Sequence, residues 1–69
     1  MKYLSILRKQ YGWTQKQVCE KTGTDISYYQ KIERGLRTPG KKFKKKMEIL
    51  FGANWEFLNS DKKDDYENS

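Results

Sequence analysis

Ser27, Gln30, Lys31 and Arg34 fall on one side of the stretch DISYYQKIERG, residues 25 to 35, at spacings that bring side chains together along a helix. A hydroxyl, an amide, an ammonium and a guanidinium in one row can donate hydrogen bonds and carry positive charge. That is recognition chemistry. The chain contains no His, the commonest general base at neutral pH, and a single cysteine, Cys19. No enzyme site is visible, and no cofactor, metal or small-molecule ligand is expected.

The charge agrees with recognition of a polyanion. Lys and Arg outnumber Asp and Glu by 15 to 9, and residues 61–69, DKKDDYENS, hold four of the acids and two of the lysines. Residues 1–60 therefore carry 13 basic and 5 acidic residues, a net charge of +8. Nucleic acid and an anionic membrane surface are the usual partners of such a field. One cysteine can form neither an intrachain disulfide nor a Cys metal site, which suits a reducing compartment, so a cytoplasmic location is expected. No apolar run reaches the length of a signal or membrane-spanning segment.

The row must be held by a small scaffold, since 69 residues support a single core. Leu4, Leu7 and Tyr11 form the inward stripe of a first helix that Gly12 ends. Thr14 opens a second helix, with Gln17 three residues on completing a capping-box pattern, and Gly23 supplies the left-handed backbone of a corner after Thr22. Asp25 caps a third helix beginning near Ile26, with Tyr29 and Ile32 facing inward and Gly35 at its end. Thr38 and Pro39 read as the start of a fourth helix, with proline in its first turn. Along it Phe43, Met47, Leu50 and Phe51 make one apolar face ringed by lysines. Gly52 closes that helix, and Asn54 caps a short fifth one bearing Trp55 and Leu58. The predicted fold is all-α: a compact five-helix domain over residues 1–60, followed by a disordered acidic tail over 61–69.

Helices two and three, joined by a glycine corner, make a helix-turn-helix. Small Cys19 and apolar Val18, Tyr29 and Ile32 suit the inner face of their crossing, which leaves the free side of helix three for a DNA major groove. LRKQYGWTQKQVCEKTG, residues 7 to 23, and IERGLRTP, residues 32 to 39, resemble the Xre-like family of phage Cro and repressor helix-turn-helix domains. The matching marks are Leu7-Arg8, Gly12, Thr14-Gln15, Gly23, Ile32-Glu33, Gly35, Arg37 and Pro39, and together they cover nearly all of residues 4–51.

The resemblance implies a lambda-repressor-like fold and a transcriptional regulator that binds double-stranded DNA as a homodimer on a two-fold symmetric operator, most simply as a repressor. Carried over residue by residue, it places a phosphate contact at Gln15 and base contacts at Ile26, Ser27 and Lys31, with Asp25 and Tyr28 as further candidates. Leu36, Arg37, Thr38, Lys41 and Lys42 would hold the DNA backbone, and Arg8 with Glu33 would form a buried structural ion pair. Lys31 can donate to guanine O6 and N7, while Ile26 can either cover a thymine methyl or pack on helix two. Two positions depart from the family pattern. Tyr29 stands where a β-branched aliphatic residue is usual, and Cys19 where alanine is usual; both suit a core, and Cys19 reads as inert packing.

Two other readings compete. The basic amphipathic helix at residues 41–51 could lie on a membrane surface or a partner protein, provided that Phe43, Met47, Leu50 and Phe51 face outward. Within the DNA-binding reading, an antitoxin that represses its own operon is a near neighbour. Trp55, Phe57 and Leu58 can serve either a dimer contact or the core.

Overall fold

The computed structural model describes residues 2–61. They form α1 (Tyr3–Gln10), α2 (Gln15–Thr22), α3 (Ile26–Glu33), α4 (Lys41–Phe51) and α5 (Trp55–Asn59). Three of these begin at a side chain that takes up a free first-turn amide. Thr14 Oγ1 accepts from the Gln17 amide at 3.1 Å while Gln17 Oε1 accepts from the Thr14 amide at 2.8 Å, a complete capping box. Asp25 caps α3 through the Tyr28 amide at 3.1 Å, and Asn54 caps α5 through the Phe57 amide at 2.9 Å.

The start of α4 departs from expectation. Gly40 is its N-cap, without a side-chain cap hydrogen bond, and Pro39 lies outside the helix. Pro39 is buried, so packing sets its place rather than a first-turn role. The Gly40 amide instead donates to the Tyr28 hydroxyl at 3.1 Å, tying the approach to α4 onto α3.

Every helix contributes to one core: Leu4, Val18, Cys19, Tyr29, Ile32, Phe43, Met47, Phe51, Trp55 and Leu58. Each large side chain fully removed from water contributes about 1.5–3 kcal/mol. Leu7 and Leu50 are half-buried against this cluster. Tyr11, expected on the inward stripe of α1, is 53% exposed, because the helix ends at Gln10 and Tyr11 is its C-cap. Its ring stacks on Trp13, with centroids 4.8 Å apart, and shields the core from outside.

The two ends of the described residues meet. The Tyr3 amide donates to the Ser60 carbonyl at 2.9 Å, Lys2 and Asp61 form an isolated antiparallel bridge, and the Tyr3 ring stacks on Phe57 at 4.5 Å. Trp55 and Leu58 belong to the core, whereas Phe57 stays 42% exposed. The rest of the expected acidic tail, residues 62–69, lies outside the described residues. Among the described residues there is no strand, no helix long and apolar enough to cross a membrane, and no cluster of His, Cys, Asp or Glu able to hold a metal ion.

Candidate nucleic-acid interface

The corner between α2 and α3 is built from short-range bonds. Gly23 turns the chain with φ at 67°, where a side chain would be strained, and the Thr24 amide donates to the Cys19 carbonyl at 3.0 Å. The Thr22 hydroxyl donates to the Val18 carbonyl at 2.8 Å, and the Thr22 and Thr24 hydroxyls lie 2.8 Å apart. Cys19 is buried inside the crossing. Burial, with the charges of Asp25 and Glu33, raises its thiol pKa, so it stays protonated and inert at neutral pH.

With Tyr29 and Ile32 turned fully into the core, α3 leaves Ile26, Ser27, Gln30 and Lys31 exposed, and Arg34 continues the same surface just past its end. Ile26 is 37% exposed, so part of its side chain is available at the surface.

Behind this face runs a chain of directional polar contacts. Arg8 Nε donates to Glu33 Oε2 at 2.8 Å, and the two side chains are only 10% and 7% exposed. Arg8 Nη1 donates to the Trp13 carbonyl at 2.8 Å, which fixes the loop before α2. Gln15 Nε2 donates to Glu33 Oε1 at 3.0 Å, and Gln30 Nε2 donates to Gln15 Oε1 at 3.2 Å. One ion pair thus joins α1, the start of α2 and the outer face of α3. Burial pushes the Glu33 carboxyl pKa up, but the bonds from Arg8 and Gln15 and the Arg8 charge outweigh it and hold the pKa below its ordinary value. Burial lowers the Arg8 pKa and the Glu33 partner raises it, with a net rise, so both partners are charged at neutral pH.

The remaining predicted residues line the continuation of this face. Tyr28 is half-buried: its hydroxyl accepts from Gly40, its ring meets Phe43 edge-on at 5.6 Å, and the Arg37 guanidinium sits over it at 5.0 Å. It therefore acts as a pillar between α3, the loop and α4, with its hydroxyl proton still free to donate. Asp25 is engaged as the α3 cap. Leu36, Arg37, Thr38, Lys41 and Lys42 are exposed, as are Lys45 and Lys46 farther along α4. A groove of about 370 Å³, lined by Asp25, Tyr28, Lys42 and Lys46 among others, joins the α3 start to this lysine row.

Sequence reasoning assigned no partner to Gln30, and no local signal could have done so, because the Gln15–Gln30 contact spans fifteen residues and depends on the crossing itself. A model of the family described as helix-turn-helix matches residues 4–58. The chain matches no curated protein and no solved structure significantly.

Proposed function

The chain belongs to the Xre-like helix-turn-helix family of DNA-binding transcription regulators, and we propose that it acts as a repressor, occupying a palindromic operator as a homodimer in the cytoplasm. The observation that carries this reading is the anchoring of α3. Tyr29 and Ile32 hold it by one side, while Ile26, Ser27, Gln30, Lys31 and Arg34 remain exposed on the other. An α-helix presented in that way suits the major groove, and the +8 charge of residues 1–60 supplies attraction to phosphate.

Within this reading Ile26, Ser27 and Lys31 face base edges, with Lys31 donating to guanine. Gln15, Arg37, Thr38, Lys41 and Lys42 hold the backbone, while Asp25 and Tyr28 flank the bases and keep the helix start in place. Two copies place their α3 helices about 34 Å apart, one turn of DNA. The membrane-surface alternative lacks its main requirement. Phe43, Met47 and Phe51 are in the core and Leu50 packs against it, so α4 has no such apolar face to give to lipid.

Selection of bound fragments from random duplex DNA tests the proposal. The expected product is an inverted repeat with half-site centres about 10 base pairs apart. Enriched DNA without any recurring half-site would remove α3 from the recognition role.

A further inference from the structure

The orientation of the Gln15 amide is forced by chemistry. An ionised carboxylate only accepts hydrogen bonds, so the Gln15 group lying 3.0 Å from Glu33 Oε1 must be its NH2. Its carbonyl oxygen then faces Gln30, and the Gln30 group 3.2 Å away must be a donor as well. The charge of Glu33, itself kept ionised by Arg8, therefore dictates through two links which way round the exposed Gln30 amide is held. Gln30 retains its carbonyl oxygen and one amide hydrogen for another molecule. One acceptor beside one donor on a planar amide matches the N6 and N7 edge of adenine in the major groove. A glutamine free on a surface loses side-chain entropy when it binds, and one held by a neighbour has already lost part of it.

We infer that Gln30 is a base-reading residue selecting adenine, and that Gln15 is its positioning residue, acting through the Glu33 carboxylate. The inference rests on the reading of α3 as the helix that enters the major groove. Gln15 thereby has a role separable from a phosphate contact. Phosphates carry no base identity, so a pure phosphate contact supports all sequences alike, whereas a positioning residue affects the one base pair that Gln30 reads.

The test compares the motifs selected from random duplex DNA by the wild-type protein, Gln30→Ala, Gln30→Glu and Gln15→Ala, each checked for cooperative thermal unfolding. A wild-type selection without a half-site sinks the major-groove reading, and this inference with it. Given a wild-type half-site, Gln30→Ala is expected to cut the preference for adenine at one symmetric pair of positions by roughly tenfold or more, leaving the other positions intact. Gln30→Glu keeps the size and exposure of the side chain but only accepts, so it gives up the bond to Gln15 together with the adenine pairing and is expected to move that preference toward cytosine, whose N4 donates. Gln15→Ala should blunt the same position, and adding it to Gln30→Ala should do no further harm there. A Gln30→Ala motif identical to wild type, or a Gln30→Glu motif that still favours adenine, overturns the reader. Uniform weakening by Gln15→Ala with the adenine preference intact overturns the positioning role.

Discussion

Helices α3 and α4 both present cationic side chains near the same corner, yet they are held by different physics. α4 is fixed by an apolar face, Phe43, Met47 and Phe51, and capped by Gly40 without a side-chain hydrogen bond; Lys41, Lys42, Lys45 and Lys46 surround it on the outside. α3 is fixed by Tyr29 and Ile32 and also by the polar chain from Arg8 through Glu33 and Gln15 to Gln30. Hydrophobic burial is non-directional and sets where a helix lies. Hydrogen bonds between planar groups set how it is turned. A helix that only attracts phosphate tolerates a small rotation, because a lysine is a mobile point charge on a long stem. One that reads base edges does not. On the proposed reading the two helices divide affinity from specificity, and substitutions on each should fail in different ways.

The largest effect is expected at the foundation of α3. Glu33→Ala leaves Arg8 charged and largely buried without its partner, which costs about 3–5 kcal/mol, enough to unfold or nearly unfold so small a domain. Thermal and denaturant unfolding measure it. A melting temperature within a few degrees of wild type would break the comparison, because α3 would then stand on apolar packing alone, as α4 does. Replacing one exposed α4 lysine should change stability by no more than about 0.5 kcal/mol.

Acid should reveal the same asymmetry. The Glu33 pKa is depressed in the folded state, so its contribution to stability is fully present above the unfolded carboxylate value, about 4.3, and is lost as pH falls through the lower folded value. Glu33→Gln removes that titration. Unfolding free energies measured from pH 6 down to pH 2 should show a smaller acid loss in Glu33→Gln than in the wild type. Parallel curves for the two proteins would place the acid sensitivity elsewhere.

On DNA the contrast is one of kind as well as size. Lys31→Ala should relax preference at one symmetric pair of operator positions by about 1–3 kcal/mol per base pair read. Lys42→Ala and Lys45→Ala should weaken all sequences alike and lower the slope of log K against log salt, by about 1 for each phosphate that is no longer neutralised. Titrations of a selected site and a scrambled one, at several salt concentrations, separate the two. A Lys42→Ala protein with weakened preference at a single position would show that α4 reads bases too.

How far the sequence foretold this division follows from the range of each signal. The caps at Thr14, Asp25 and Asn54 and the turns after α2 and α4 were legible because they act over three or four residues. The inward residues of α3 and α4 follow from helical periodicity for the same reason. The Arg8–Glu33 pair, twenty-five residues apart, was expected only through the family resemblance, since spacing alone does not announce it. Pro39 misled because a proline before a helix fits both the first turn and a packed approach to it. Only the buried neighbourhood of its ring decides between them. The Gln15–Gln30 link had no sequence signal, as its length depends on the crossing of α2 and α3.

The smallest expected effect marks where the polar chain ends. The Tyr29 hydroxyl is buried beside Glu33, with no hydrogen-bond partner. Burial and the neighbouring carboxylate push its ionisation far up, so it remains a neutral hydroxyl across the accessible pH range. A hydroxyl buried without a partner costs about 1–3 kcal/mol, while the ring below it is a principal core contact of α3. Tyr29→Phe keeps the ring and removes the hydroxyl. It should therefore leave stability unchanged or raise it by up to about 1 kcal/mol, with the selected DNA motif unaltered, as denaturant unfolding and one repeat selection can measure. A decrease of about 1.5 kcal/mol or more, the range for removing a hydrogen bond to a charged group, would mean that the hydroxyl donates to Glu33 in solution. The polar foundation of α3 would then extend into the core, and its difference from α4 would be deeper than the contacts through Arg8 and Gln15 alone.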